Sequence, residues 1–117
     1  MTYRQDFGKS GENKAAEFLI EQGFTIVERN VRCGRIGEID LVASKGNLTV
    51  LAEVKTRSNS ALGGALYSIT KKKKHTLRRC TDWYLVSRDL YSNENIFRFD
   101  LIAIDNNEVI WVQDILR

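Results

Sequence analysis

Proline is absent from the 117 residues, histidine and methionine occur once each, and cysteine occurs twice. Without proline there is no rigid or proline-rich arm. The glycines are scattered, no low-complexity stretch or internal repeat divides the chain, and one domain over residues 1–117 is expected. Long apolar runs are missing as well. None approaches the roughly 20 residues needed to cross hydrocarbon, so no membrane partner is expected. Cys33 and Cys80 lie far apart, without Cys-x-x-Cys spacing, behind a start that does not read as a secretory signal. They are therefore expected to be free thiols, not a disulfide framework, in a reducing cytoplasm.

Neither sign of charge dominates, since 18 Lys and Arg stand against 15 Asp and Glu for a net charge of +3. Distribution says more than the total. "TKKKKHTLRR", residues 70–79, gathers Lys71, Lys72, Lys73, Lys74, Arg78 and Arg79 without an acid. Such a patch suits a polyanion or an anionic surface, the alternative being a solvated helix face. His75 sits inside the run and reads as a phosphate neighbour or a surface residue.

Apolar and small residues at Tyr3, Phe7, Gly11, Ala15, Phe18 and Leu19 follow helical spacing, which predicts a helix over about residues 3–22 stopped by Gly23. Gly8 and Gly11 weaken its first half, so it begins nearer Ser10 or its glycines allow a close backbone approach. "FTIVERNVR" and the segments 37–44 and 48–56 read as strands of an antiparallel meander, with Lys45, Gly46 and Asn47 as the tight turn. "SNSALGGA" after them has no periodicity and reads as a mobile loop where a lid would lie. Thr70 caps a helix running to about Ser87, with Leu77, Cys80, Trp83 and Tyr84 toward the core. Its lysines oppose the helix dipole, so local helix stability does not explain them. "NIFRFDLIAID" and "EVIWVQDIL" close the chain as strands around a turn at Asn106 and Asn107. The order predicts an α/β or α+β fold, a central mixed five-stranded sheet flanked by helices.

Within this hairpin, "GRIGEIDLVASKGNLTVLAEVKTR" sets Glu38, Asp40, Glu53 and Lys55 among Ile, Leu, Val and Ala. Alternation along a strand puts Glu38 with Asp40 on one face and Glu53 with Lys55 on one face. Counting from Gly46, Asp40 and Glu53 lie near-opposite within one residue, so the pairs can meet. Burying three carboxylates against one lysine costs several kcal/mol per unpaired charge. A divalent cation would offset that cost. Mg²⁺ prefers hard oxygens and takes one or two carboxylates together with waters and phosphate oxygens. Lys55 would orient the attacking water or offset charge developing on phosphorus. The alternative is an internal ion-pair cluster. Glu12 either points toward the sheet as a further acid or simply favours a helix N-terminus.

These residues resemble a known family. Asp40 followed by Glu53-x-Lys55 across a hairpin is similar to the PD-(D/E)xK nuclease signature, with Glu12 matching its helical acid. "GENKAAEFL", "GEIDLVA", "EVKTR", the lysine-bearing helix and "FRFDLIAI", in order over nearly the whole chain, resemble the YraN-like family of small bacterial proteins. The resemblance implies a restriction-endonuclease-like fold, similar to that of archaeal Holliday junction resolvases. It implies Asp40 and Glu53 as metal ligands, Lys55 as the catalytic lysine, Glu12 as an additional acid and Glu38 as a neighbour supporting the site. Ile39 stands where the signature's proline would be and leaves the carboxylate in place.

The expected function is a cytoplasmic Mg²⁺-dependent endonuclease acting on branched or damaged DNA, with Mn²⁺ as an alternative cofactor. Lys71 to Lys74, Arg78 and Arg79 would neutralise phosphates without reading sequence, and Arg57 and Ser58 would contact the cleaved strand. A non-catalytic nucleic-acid-binding module and an RNA nuclease are the alternatives. A junction-cutting enzyme would work as a homodimer.

Overall fold

The computed structural model describes residues 3–57, 69–92, 94–106 and 108–117. Helix α1 spans Tyr3–Glu21, followed by strands β1 (Thr25–Cys33), β2 (Gly37–Lys45) and β3 (Leu48–Arg57). Helix α2 (Lys71–Ser87) leads to β4 (Ile96–Asp105) and β5 (Glu108–Val112). The expected lid loop, Ser58 and the turn residue Asn107 lie outside the described residues, as does the side chain of Arg57.

α1 ends where Gly23 takes φ +94°. The Gly23 N–H then donates to the Ile20 carbonyl at 2.9 Å and the Phe24 N–H to that of Leu19 at 3.0 Å. This paired closure consumes two carbonyls that the helix end would leave bare, and it turns the buried Phe24 under the sheet.

The five strands lie in the order β1-β2-β3-β4-β5. β1–β2, β2–β3 and β4–β5 are antiparallel, whereas β3–β4 is parallel because α2 carries the chain back across the sheet. The sheet is therefore mixed, as expected. Lys45 belongs to β2 and pairs with Leu48, so the hairpin turn is two residues, Gly46 and Asn47, rather than three. β5 is shorter than the apolar run implies. After Val112 the chain leaves the sheet, held by Asp114 N–H to Asp100 Oδ1 at 2.9 Å and Ile115 N–H to the Phe99 carbonyl at 2.8 Å.

Each face of the sheet carries one helix. Ala15, Ala16 and Leu19 of α1 pack on Leu41, Ala43, Val50, Ala52, Ile102 and Ile104. Leu77, Cys80, Tyr84 and Leu85 of α2 pack on Val31, Ile39, Val42, Leu51 and Phe99 opposite. A strand covered on both faces reads as a continuous apolar run, which is why segments 41–43 and 50–52 do not alternate with polar residues. Trp83, expected in the core, is half-buried, with Arg88 over its ring at 5.9 Å.

The two cysteines overturn the expectation of free thiols. Cys33 at the end of β1 and Cys80 in the buried stripe of α2 have Cα atoms 5.4 Å apart and form a disulfide across 47 positions of sequence. Separation along the chain gave no hint, because the packing of α2 over the β1–β2 edge brings them together.

Two charge networks, one buried and one near the surface, pin the ends of the sheet. Fully buried Asp100 accepts from Arg98, from Trp111 Nε1 at 2.8 Å and from the Asp114 backbone. Glu28 on β1 accepts from Arg88 and from the Tyr84 hydroxyl at 2.6 Å, and these donors, Arg88 first, hold its carboxyl below the usual range.

Candidate functional site

The site forms where β2 and β3 part. Their ladder runs from Lys45↔Leu48 to Leu41↔Ala52 and stops, so the next pair in the same register would be Asp40 and Glu53. Instead of continuing backbone pairing, Asp40 Oδ2 accepts the Val54 N–H at 2.8 Å. On the other side of Asp40 the register sets Asn30, which has φ +52°. Asn tolerates this left-handed conformation better than most residues. The irregularity also breaks the alternation expected along β2. Ile39 and Val42 pack on the α2 side while Leu41 packs on the α1 side, so Glu38 and Asp40 do not share a face by simple period-two counting. Glu38 is exposed and Asp40 is half-buried.

Gly11 brings α1 to this end of the sheet. A Cβ there would collide with the Thr56 side chain, so glycine lets the helix rest directly on the end of β3. Half-buried Glu12 follows immediately. The Asp40 carboxyl registers the result. Burial raises its pKa from the ordinary 3.8 to about 6, the Val54 N–H opposes the rise, and the charges of Glu12, Glu53 and Glu38 add to it. The charges of the other three predicted acids are thus felt at Asp40, although Glu38 itself is exposed.

Glu53 lies on β3 with its side chain only 12% exposed. Its Oε1 faces Lys73 Nζ at 3.0 Å and Lys55 Nζ at 3.9 Å, while its buried Oε2 has no hydrogen-bond partner among the described residues. A buried carboxylate oxygen without a donor carries a desolvation penalty that a cation or water relieves. Among the described residues no group of three or more His, Cys, Asp or Glu is arranged to hold a metal. Mg²⁺ needs only one or two carboxylates, so Asp40 and Glu53, with its unpartnered Oε2, are the residues that could hold it.

The basic run divides on inspection. Lys71 and Lys72 are exposed, and Lys74 is half-buried near Leu101 and the C-terminal turn. Lys73 turns inward to Glu53. Arg78 donates to the Leu116 carbonyl and so ties the C-terminus to α2. Arg79 is exposed beside Trp83 and Val86, and His75 is exposed. Sequence reasoning missed Arg32 and Arg35. With Gly34, Gly37 and Glu38 they line a concavity of about 290 Å³ on the turn leading into β2. The signal was the two arginines flanking the Cys33-Gly34 turn.

Residues 11–104 match the model of a family described as uncharacterised protein family UPF0102. A UPF0102 protein of Shewanella sediminis is 42% identical over 107 residues, covering 92% of this chain and 88% of its own. One of Legionella pneumophila is 38% identical over 112 residues, covering 94% and 93%. One of Caldicellulosiruptor saccharolyticus is 39% identical over 112 residues, covering 96% and 92%.

Proposed function

Since the chain belongs to the uncharacterised protein family UPF0102, the YraN-like group with a restriction-endonuclease-like fold, we propose a function from its site: a Mg²⁺-dependent endonuclease hydrolysing phosphodiester bonds in DNA. The observation that carries this reading is the meeting of Asp40, Glu53 and Lys55 where the β2–β3 ladder ends, with one Glu53 oxygen buried and unpartnered. Ion pairing alone leaves that oxygen unexplained. Asp40 and Glu53 would hold the cation, and Mn²⁺ would serve in its place. Bound there, the metal would polarise the phosphate and acidify a water. Asp40 stays aimed because the Val54 N–H fixes one of its oxygens. Lys55, two residues along the same strand, presents an ammonium that orients the attacking water and meets charge developing on the phosphoryl oxygens. Glu12 adds negative charge that strengthens cation binding, and Glu38 supports from the rim.

Lys71, Lys72 and Lys74 on α2, with Arg79 further along it, would neutralise the nucleic-acid backbone without reading bases. Arg57 belongs to the same strand end. Branched or damaged DNA is the proposed target, RNA is the alternative for the same chemistry, and a junction substrate would call for a second copy of the chain. No described helix is long and apolar enough to cross a membrane. A cytoplasmic location accords with a DNA substrate, but it no longer draws support from free thiols, because disulfides are rare in that compartment.

One observation favours a second reading. The Lys73–Glu53 ion pair at 3.0 Å ties up the carboxylate, as a binding module that does not cleave would allow. Both readings meet one test: labelled duplex, single-stranded, flap and four-way-junction DNA with Mg²⁺, Mn²⁺ or EDTA, using the wild type and Glu53→Ala. Metal-dependent cutting lost in the variant supports the nuclease. Binding without cutting by either protein supports the module.

A further inference from the structure

Of four consecutive lysines at the start of α2, only Lys73 reaches a carboxylate of the site, and the helix dictates which one does. Leu77, Cys80 and Tyr84 are the buried stripe of α2, spaced by three and four. Lys73 lies four residues before Leu77 and extends that stripe toward the end of β3. The helix that carries it is anchored at its N-terminal cap and again two turns further on. The Lys73 N–H donates to the Thr70 cap at 3.1 Å, and the Cys33–Cys80 bond holds the helix to β1 two turns later. The helix therefore aims Lys73 at Glu53, although the lysine side chain is still 39% exposed.

Two ammonium groups meet one oxygen of Glu53, and neither bonds Asp40. Lys55, at 3.9 Å, is the looser contact and Lys73, at 3.0 Å, the closer. We infer that Lys73 is the resident counter-ion of Glu53, its ammonium balancing the carboxylate at Oε1 while Oε2 stands open, so that a divalent cation entering at Oε2 weakens the hold of Glu53 on Lys73 and frees it for the phosphates of the nucleic acid. The inference rests on the nuclease reading above. It makes Lys73 a positioning residue whose charge keeps the unloaded site compact and then moves to the substrate. Metal binding and DNA binding are thereby coupled: each withdraws Lys73 from the contact that opposes the other, and such coupling is reciprocal.

The test measures Mn²⁺ alone, by electron paramagnetic resonance of the free ion, on the full chain without nucleic acid at fixed ionic strength and pH 7.5. Lys73→Gln is expected to tighten Mn²⁺ binding about two- to fivefold, the scale of one partly exposed ion pair. Lys73→Arg, which keeps the charge, stays near wild type, and Lys74→Gln controls for the general field. In a Lys55→Ala background Mn²⁺ tightens binding of duplex DNA, and adding Lys73→Gln removes most of that gain. Unchanged or weaker Mn²⁺ affinity in Lys73→Gln, or an equal gain in Lys74→Gln, overturns the inference while leaving the nuclease reading in place. Absence of Mn²⁺ binding from wild type and Lys73→Gln alike overturns both.

Discussion

Replacing Asp40 by Asn should abolish cleavage yet make the metal-free protein more stable at neutral pH. Asp40 carries a half-buried carboxyl whose pKa rises from 3.8 to about 6 on folding, chiefly through burial and also through Glu12, Glu53 and Glu38. A group with a higher pKa folded than unfolded takes up protons on folding, so its contribution to stability falls as pH rises through about 4 to 6 and stays low above. A tenfold change in proton affinity is worth about 1.4 kcal/mol, which makes the charged carboxylate a liability of about 3 kcal/mol at pH 7.5. Asn keeps the acceptor for Val54 N–H, removes the charge, and still carries an amide that is costly to bury. The expected gain is therefore about 1–3 kcal/mol, or about 4–12 °C in Tm for a domain of this size. Thermal melts in EDTA between pH 4.5 and 8 provide the assay. Wild-type stability should fall across that range relative to the variant, the two curves meeting near pH 4.5. Saturating Mg²⁺ should then restore the wild type and not the variant. An Asp40→Asn protein less stable than wild type at pH 7.5, or one with the wild-type pH profile, would refute the reasoning and make the carboxylate a net structural acceptor.

The other expectations concern single features. Lys55→Ala should abolish cleavage while leaving far-UV circular dichroism and most DNA affinity unchanged; a collapse of the fold would instead mark a structural ion pair. Changing Lys71, Lys72 and Lys74 together to Gln should weaken DNA binding and lower the slope of log K against log salt by about 2–3, near 0.9 per phosphate contact, and an unaltered slope would remove this face from the interface. Non-reducing intact mass should show two hydrogens fewer than the reduced chain, and reduction should cost about 4 kcal/mol of stability on the chain-entropy account of a 47-position loop. Recovery of two alkylated thiols from the untreated native protein would count against the pair.

What was legible in the sequence had a periodic signature. The Thr70 cap, the stripe at Leu77, Cys80 and Tyr84, and the unbroken apolar segments around Leu41 and Leu51 each follow from local geometry, and with them came the element order and the mixed sheet. What stayed hidden depends on contacts between elements. Cys33 and Cys80 meet only once α2 is laid across the sheet, and the buried Asp100 network forms only when the C-terminal turn folds back on β4. Arg78, expected at phosphate, is exposed and also donates to the Leu116 carbonyl 38 positions away, a contact that local spacing does not show.

The candidate site falls between these cases, and the register explains why. Counting from the turn placed Asp40 opposite Glu53, and the ladder does lead to that pair. It stops one step short because Asp40 replaces a backbone acceptor with its own carboxylate, taking the Val54 N–H that the strand would otherwise leave open. The same substitution that ends the ladder thus aims the acid, and it does so at the point where Gly11 lets Glu12 approach from the opposite layer. A uniformly alternating hairpin would have kept Glu38 and Asp40 on one face. The broken alternation at Ile39 falls at the same point, so the end of the ladder carries half-buried Asp40 and Glu53 where a core designed only for stability would carry apolar side chains.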